Sequence, residues 1–148
     1  ESGASVGLGC DGAAPSNLDI FDEMKVLRYA MLAYWGLPSF NPVVMTCPTL
    51  LKMASQGGAN AIGHGDILGS VKEGKKADLI LLNIDQPHIT PTQNLVNTIV
   101  DAANGHDVMD SIINGKLVMK NREVLTLDEE RIRFETTQHM NEIIKRAY

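Results

Sequence analysis

Apolar residues recur at spacings of three and four in the first half of the chain. Over residues 18–35 they are Leu18, Phe21, Met24, Leu27, Met31 and Trp35. This period places them on one face of a helix, so the pattern predicts an amphipathic helix with Ser16 or Asn17 as its N-cap. Residues 48–62 predict a second helix, because Pro48 suits a first turn.

The pattern changes to that of strands after Ser70. Residues 77–84 form a nearly continuous apolar run, which is typical of a strand covered on both faces. Residues 108–113 and 116–119 flank an Asn-Gly pair that fits a type I′ turn, so they predict a hairpin.

Three further elements complete the predicted order. Residues 6–10 predict a short strand that ends at Asp11, and residues 123–125 predict another. Thr126 or Asp128 can cap a last helix that runs to about Ala147. The order is strand, helix, helix, several strands and a final helix, which places the chain in the α/β class.

Composition narrows the class of protein. The chain has 148 residues, of which 44% are hydrophobic and 21% charged, with a net charge of −5. These values are ordinary for a soluble globular domain, and the length is too short for a large barrel. We expect no nucleic-acid partner, because the chain is mildly acidic, and no membrane partner, because no apolar run approaches the ~20 residues of a membrane helix. The two cysteines form no framework of pairs, so we expect a cytoplasmic location.

Residues 7–12 match the G-x-G-x-x-G pattern of dinucleotide-binding loops. That pattern requires a buried strand before it and a helix directly after it. Here small and polar residues precede it, and Pro15 and a polar loop follow. Asp11 would also place a carboxylate against the pyrophosphate, so we reject this interpretation.

Asp11 is the strongest candidate for chemistry. An Asp at the carboxyl end of a strand can be a catalytic acid at a barrel mouth, although Asp-Gly is more often a plain turn. The four histidines form no His-X-His and no His-X-X-X-His pair, so their spacing builds no metal site. Cys10 is interpreted as a buried thiol rather than a nucleophile, and Ser16 as a cap.

Several stretches together resemble the amidohydrolase superfamily, and most closely its methylthioadenosine/S-adenosylhomocysteine deaminases and chlorohydrolases. Residues 9–19 (GCDGAAPSNLD) resemble the last barrel strand of that family and the start of its last barrel helix. Residues 53–63 (MASQGGANAIG) are similar to the next helix, and residues 69–81 (GSVKEGKKADLIL) to the return into a small β-domain. Residues 114–118 continue the pattern.

The resemblance implies a fold and a reaction. The fold is a distorted (β/α)8 barrel with a small β-sandwich built from both chain ends. Residues 1–66 would belong to the barrel, residues 67–126 to the sandwich and residues 127–148 to a terminal helix. Asp11 would bind zinc, or sometimes iron, and take a proton from the metal-activated water that attacks a purine-type N-heterocycle and releases ammonia or chloride.

Several questions stay open at this point. A barrel needs about 250 residues and a catalytic zinc needs three protein ligands, so we expect this chain alone to hold no metal. The start at Glu1 without methionine fits a chain cut from a longer protein, or residues left by cloning. The alternatives are a guanine or cytosine deaminase of the same superfamily, or a non-catalytic assembly module. We expect homo-oligomers in either case.

Overall fold

Helix α1 (Ile20–Met31) begins at Asp19 in the computed structural model, which describes residues 3–12, 17–41 and 43–147. Asp19 is the N-cap because its backbone is extended and its carboxylate accepts a hydrogen bond from the Phe21 N–H. The prediction of Asn17 as the cap is wrong, and the predicted cap Ser16 lies outside the described residues. The helix continues as a π-helical turn (Leu32–Gly36), so the predicted end near Trp35 is confirmed.

The second predicted helix is confirmed as three consecutive pieces. These are α2 (Cys47–Lys52), a π-helical turn (Met53–Gly57) and α3 (Gly58–Ala61). Thr46 caps the start, with its hydroxyl accepting a hydrogen bond from the Thr49 N–H. The π-helical turn was not predicted, because a hydrophobic pattern does not register one inserted residue.

Four antiparallel strands form one sheet in the order β1-β2-β3-β4. They are β1 (Leu79–Leu82), β2 (Val108–Ile113), β3 (Lys116–Lys120) and β4 (Glu123–Val124). The predicted Asn-Gly turn joins β2 to β3, with φ of 50° at Asn114 and 76° at Gly115. Both positive values agree with a type I′ turn.

Strand β1 differs from its prediction in coverage. Ile80 and Leu81 are 52% and 48% exposed, so the expectation of a strand covered on both faces is wrong in this structure. A strand with a continuous apolar run is covered on both faces only where further structure packs against each face of the sheet. The described residues supply only part of that second layer.

One helix was not predicted from the sequence. Helix α4 (Leu95–Asp101) begins at Asn94, whose side chain accepts a hydrogen bond from the Asn97 N–H. It places Val100 in the core. A short 3₁₀ turn (Gly105–Asp107) then leads into β2.

The last helix, α5 (Glu129–Ala147), follows Asp128, whose carboxylate accepts a hydrogen bond from the Arg131 N–H. This confirms one of the two predicted caps. The apolar side chains of α5 are largely exposed, Phe134 at 62% and Ile143 at 60%. Within the described ranges, no helix has both the length and the apolar character needed to cross a membrane.

The core lies where helices α1, α2 and α4 meet. Its buried members are Phe21, Met24, Cys47, Leu50, Ile89, Val100 and Ala103. Residues 6–10 contact this core through Leu8. They form no strand among the described residues, so the prediction of a strand over residues 6–10 is wrong for this structure. A strand requires a neighbouring strand to pair with, and these residues instead contact the second helical run.

Candidate functional site

Asp11 lies near the end of a segment, residues 3–12, that is neither helix nor strand, and its side chain is exposed. The segment is held three residues earlier, where the Leu8 N–H donates a hydrogen bond to the Met53 carbonyl at 3.3 Å. Leu8 also packs against the core. Asp11 therefore projects into solvent from a segment anchored beside the second helical run.

The anchored segment and the helix approach each other with no side chain between them. A Cβ added at Gly57 would lie 2.5 Å from the Val6 carbonyl oxygen. A Cβ added at Gly7 would lie 2.6 Å from the Gly58 Cα. Both distances are shorter than real Cβ contacts, so glycine is required at positions 7 and 57 for this approach.

The thiol beside Asp11 does not have the character of a nucleophile. Partial burial of Cys10, followed by the nearby carboxylates of Glu23, Asp19 and Asp22, raises the pKa of its thiol above the ordinary value. A raised pKa keeps the thiol protonated at neutral pH, whereas nucleophilic cysteines require a lowered one. The sequence analysis expected a buried thiol at Cys10, whereas the side chain is only partly buried.

None of the contacts described for the four histidines involves Asp11. His88 donates from Nε2 to the buried Asp107 carboxylate at 3.0 Å. His106 lies in the 3₁₀ turn, where its carbonyl accepts a hydrogen bond from Arg122. His64 lies in the turn after α3, and His139 lies on α5. All four histidines therefore lie in loops, turns or helices.

Asp11 offers one carboxylate ligand for a metal ion. Across residues 3–12, 17–41 and 43–147, no group of three His, Cys, Asp or Glu side chains is placed to hold a metal. Catalytic zinc takes three protein ligands, so the described donors fit one ligand position and do not make a complete site. The predicted loop of residues 13–16, which follows Asp11, lies outside the described residues.

The sequence analysis gave the residues that hold this segment no role in positioning Asp11. The Met53 carbonyl, Gly57 and Gly7 act through their backbone, so no reactive side chain marks them. The one available signal was Gly57-Gly58 inside a predicted helix, where glycine is costly and often marks close packing.

Comparisons with known proteins identify the family to which the chain belongs. The model of the amidohydrolase family matches residues 1–118. The chain is 43% identical over 147 residues to the 5-methylthioadenosine/S-adenosylhomocysteine deaminase of Pelotomaculum thermopropionicum, covering 99% of this chain and 33% of the relative. It is 42% identical over 139 residues to the protein of the same name from Desulforamulus reducens, covering 93% and 31%.

Solved structures give the same picture. An adenosine deaminase from Xanthomonas campestris, solved with bound zinc, superposes with a TM-score of 0.88 at 28% identity, over 96% of this chain and 32% of that one. Atrazine chlorohydrolase from Arthrobacter aurescens, complexed with zinc, superposes with a TM-score of 0.76 at 25% identity, over 92% and 30%. The chain thus spans about a third of the length of these relatives.

Proposed function

The chain belongs to the amidohydrolase family, and from this premise we propose that it is the C-terminal third of a metal-dependent hydrolase acting on a purine-type N-heterocycle. The reaction is hydrolytic deamination, with dechlorination as the related alternative. The observation that carries the proposal is the 43% identity to a methylthioadenosine/S-adenosylhomocysteine deaminase over 99% of this chain. A guanine or cytosine deaminase of the same superfamily is the alternative enzyme.

In this proposal Asp11 is both a metal ligand and the catalytic proton acceptor. Its exposed carboxylate at the end of an anchored segment is free to reach a metal and a substrate held by the rest of the protein. Zinc, or iron, when bound supplies Lewis-acid activation of water. Asp11 accepts the proton of the attacking water and passes it toward the leaving group.

The remaining metal ligands, the general acid and the substrate pocket are assigned to the upstream part of the parent protein. Residues 1–66 belong to its barrel, residues 67–126 to its small β-sandwich and residues 127–148 to a terminal helix. An apolar cavity of about 840 Å³ lies between the helices and the sheet, and residues of both of the first two segments line it, among them Ile20, Leu79 and Ile112.

The test joins the upstream two thirds of the Pelotomaculum thermopropionicum relative to this chain. We expect the chimera to release ammonia from methylthioadenosine or S-adenosylhomocysteine, and Asp11→Asn to lower kcat by about 10²- to 10⁴-fold. Asp85→Asn, an exposed carboxylate in the loop after β1, is the matched control and keeps full activity. An Asp11→Asn chimera with unchanged kcat would remove Asp11 from the mechanism.

A second candidate is a non-catalytic assembly module, favoured by the exposed apolar side chains of α5 and β1. Those of α5 include Ile132, Phe134, Met140, Ile143 and Ile144. Open apolar faces of this kind promote self-association, so we propose that the chain forms homo-oligomers. An inactive chimera together with a discrete oligomer of the isolated chain would favour this candidate over the hydrolase.

A further inference from the structure

The π-helical turn Met53–Gly57 contacts the Asp11 segment through its backbone. In this turn the Met53 carbonyl accepts from the Gly58 N–H, five residues later, and also from the Leu8 N–H at 3.3 Å. A π turn inserts one residue and reorients the carbonyls around it, and such turns are frequent at functional sites. The widened turn therefore gives the segment a hydrogen-bond acceptor on the flank of the helix.

The same turn is fixed on its other side by Lys75. The Lys75 ammonium donates to the Gln56 side-chain oxygen at 3.1 Å and to the carbonyls of Gly65 at 2.7 Å and Leu68 at 3.0 Å. The Gln56 amide also donates to the Gly65 carbonyl at 2.9 Å. All three protons of the ammonium have acceptors, so Gln56 and the π turn are held in place by residues 65–75.

Glycines bring the two backbones into contact at this turn. A side chain at Gly57 would strike the Val6 carbonyl and one at Gly7 would strike Gly58, as measured above. Gly57 itself is in an ordinary helical conformation, with φ −62° and ψ −47°, so its backbone does not require glycine. A Cβ at Gly57 would first meet the approaching segment, at 2.5 Å from the Val6 carbonyl oxygen, and then the Lys52 carbonyl oxygen of its own helical run at 3.1 Å.

We infer that the π turn Met53–Gly57 is a positioning element for Asp11, with Gly57 as the residue that sets the distance between helix and segment. This rests on the proposed function of Asp11. Asp11 follows Leu8 by three residues, so a shift at the Leu8–Met53 hydrogen bond moves the carboxylate with it. Lys75 and Gln56 act on Asp11 through the turn.

Two pairs of variants test this in the isolated chain. Gly57→Ala pushes on the Val6 carbonyl, whereas a Cβ at Gly58 meets only the Met53 carbonyl at an ordinary 3.7 Å. Gly58 has nearly the same backbone, with φ −59° and ψ −47°, so Gly58→Ala gains the same helix propensity and is the matched control. Gly7→Ala has its control in Gly9→Ala, where a Cβ meets nothing within 4 Å.

The first measurement is amide hydrogen exchange by NMR. Gly57→Ala and Gly7→Ala should speed exchange at Leu8 by about tenfold and shift the Asp11 resonances, because the hydrogen bond to Met53 is lost. Both control variants should leave Leu8 and Asp11 unchanged. Unchanged Leu8 exchange in Gly57→Ala, or an equal change in Gly58→Ala, overturns the inference, whatever the activity of the chimera.

The second measurement uses the chimera described above. Gly57→Ala should lower kcat by up to about 100-fold with little change in KM, because Asp11, the proposed metal ligand and proton acceptor, is misplaced. Gly58→Ala should retain kcat. If Asp11→Asn abolishes turnover while Gly57→Ala keeps it, the inference fails and the proposed function stands. If Asp11→Asn has no effect on turnover, the proposed function fails. The exchange data then test only whether the π turn anchors the segment that carries Asp11.

Discussion

Asp19 joins the start of helix α1 to Gly105, 86 residues further along the chain. One carboxylate oxygen accepts from the Phe21 N–H at 2.9 Å, and the other accepts from the Gly105 N–H at 2.7 Å. One side chain therefore caps the helix and fastens the 3₁₀ turn that leads into β2. The chain segment that precedes α1 carries Asp11, so this link also fixes the helix that follows the candidate site.

Removing this carboxylate should destabilise the chain through both contacts. Asp19→Ala loses the cap and the bond to Gly105, so we expect the free energy of unfolding to fall by about 1–2 kcal/mol or somewhat more. Asp19→Asn keeps a capping oxygen and should cost clearly less, because Asn caps as well as Asp. Urea denaturation followed by circular dichroism measures both, and equal losses in the two variants would contradict the double role.

The Lys75 ammonium should contribute more to stability than its neighbour. Lys75→Met removes the donor to the Leu68 carbonyl and to the Gln56 side-chain oxygen, and one of the two donors to the Gly65 carbonyl, so a loss of about 1–3 kcal/mol is expected. The exposed Lys76 is the control, and Lys76→Met should stay within about 0.5 kcal/mol of the parent. Thermal denaturation of the two variants side by side provides the measurement, and similar melting temperatures would sink the prediction.

The free energy of unfolding should depend on pH through the ionisation of Asp107. Burial opposes the ionisation of this carboxyl, but hydrogen bonds from His88 and the Asn104 N–H, with the charges of His88 and His106, outweigh burial and hold its pKa below the ordinary 3.8. A depressed folded-state pKa contributes stability that is fully present well above pH 3.8 and is lost as pH falls through the folded-state pKa.

The matching experiment compares Asp107→Asn with the parent chain. The difference in unfolding free energy should be largest at about pH 6 and should shrink toward about pH 3, as the parent carboxyl becomes protonated. Urea titrations at several pH values measure it. A difference that stays constant over this range would show that the charge of Asp107 does not matter.

Local chemistry explains which elements the sequence could predict. The turn at Asn114-Gly115 was predictable because two positive φ values demand these residue types. Helix α4 was missed because its seven residues are too few for a clear period, although Asn94 is a good cap. The π turn at Met53 contacts a segment more than 40 residues away, and no local pattern records such a contact.

The candidate site could be predicted from the sequence only in part, for the same reason. Asp11 followed by Gly12 is a common turn, and only the resemblance of residues 9–19 and 69–81 to one family made its carboxylate a candidate. The backbone groups that hold it in place carry no chemical signature in the sequence. Their role became visible only as distances between Gly57, Gly7 and their neighbours.

The last prediction concerns the isolated chain. Asp11 is a single protein ligand, and catalytic zinc requires three, so we expect zinc affinity no tighter than about micromolar and no deaminase turnover. Equilibrium dialysis against zinc and an ammonia-release assay with methylthioadenosine measure the two, and Asp11→Asn should leave both unchanged. Retained zinc in the parent chain that disappears in Asp11→Asn would mean that residues of this chain complete a metal site around Asp11.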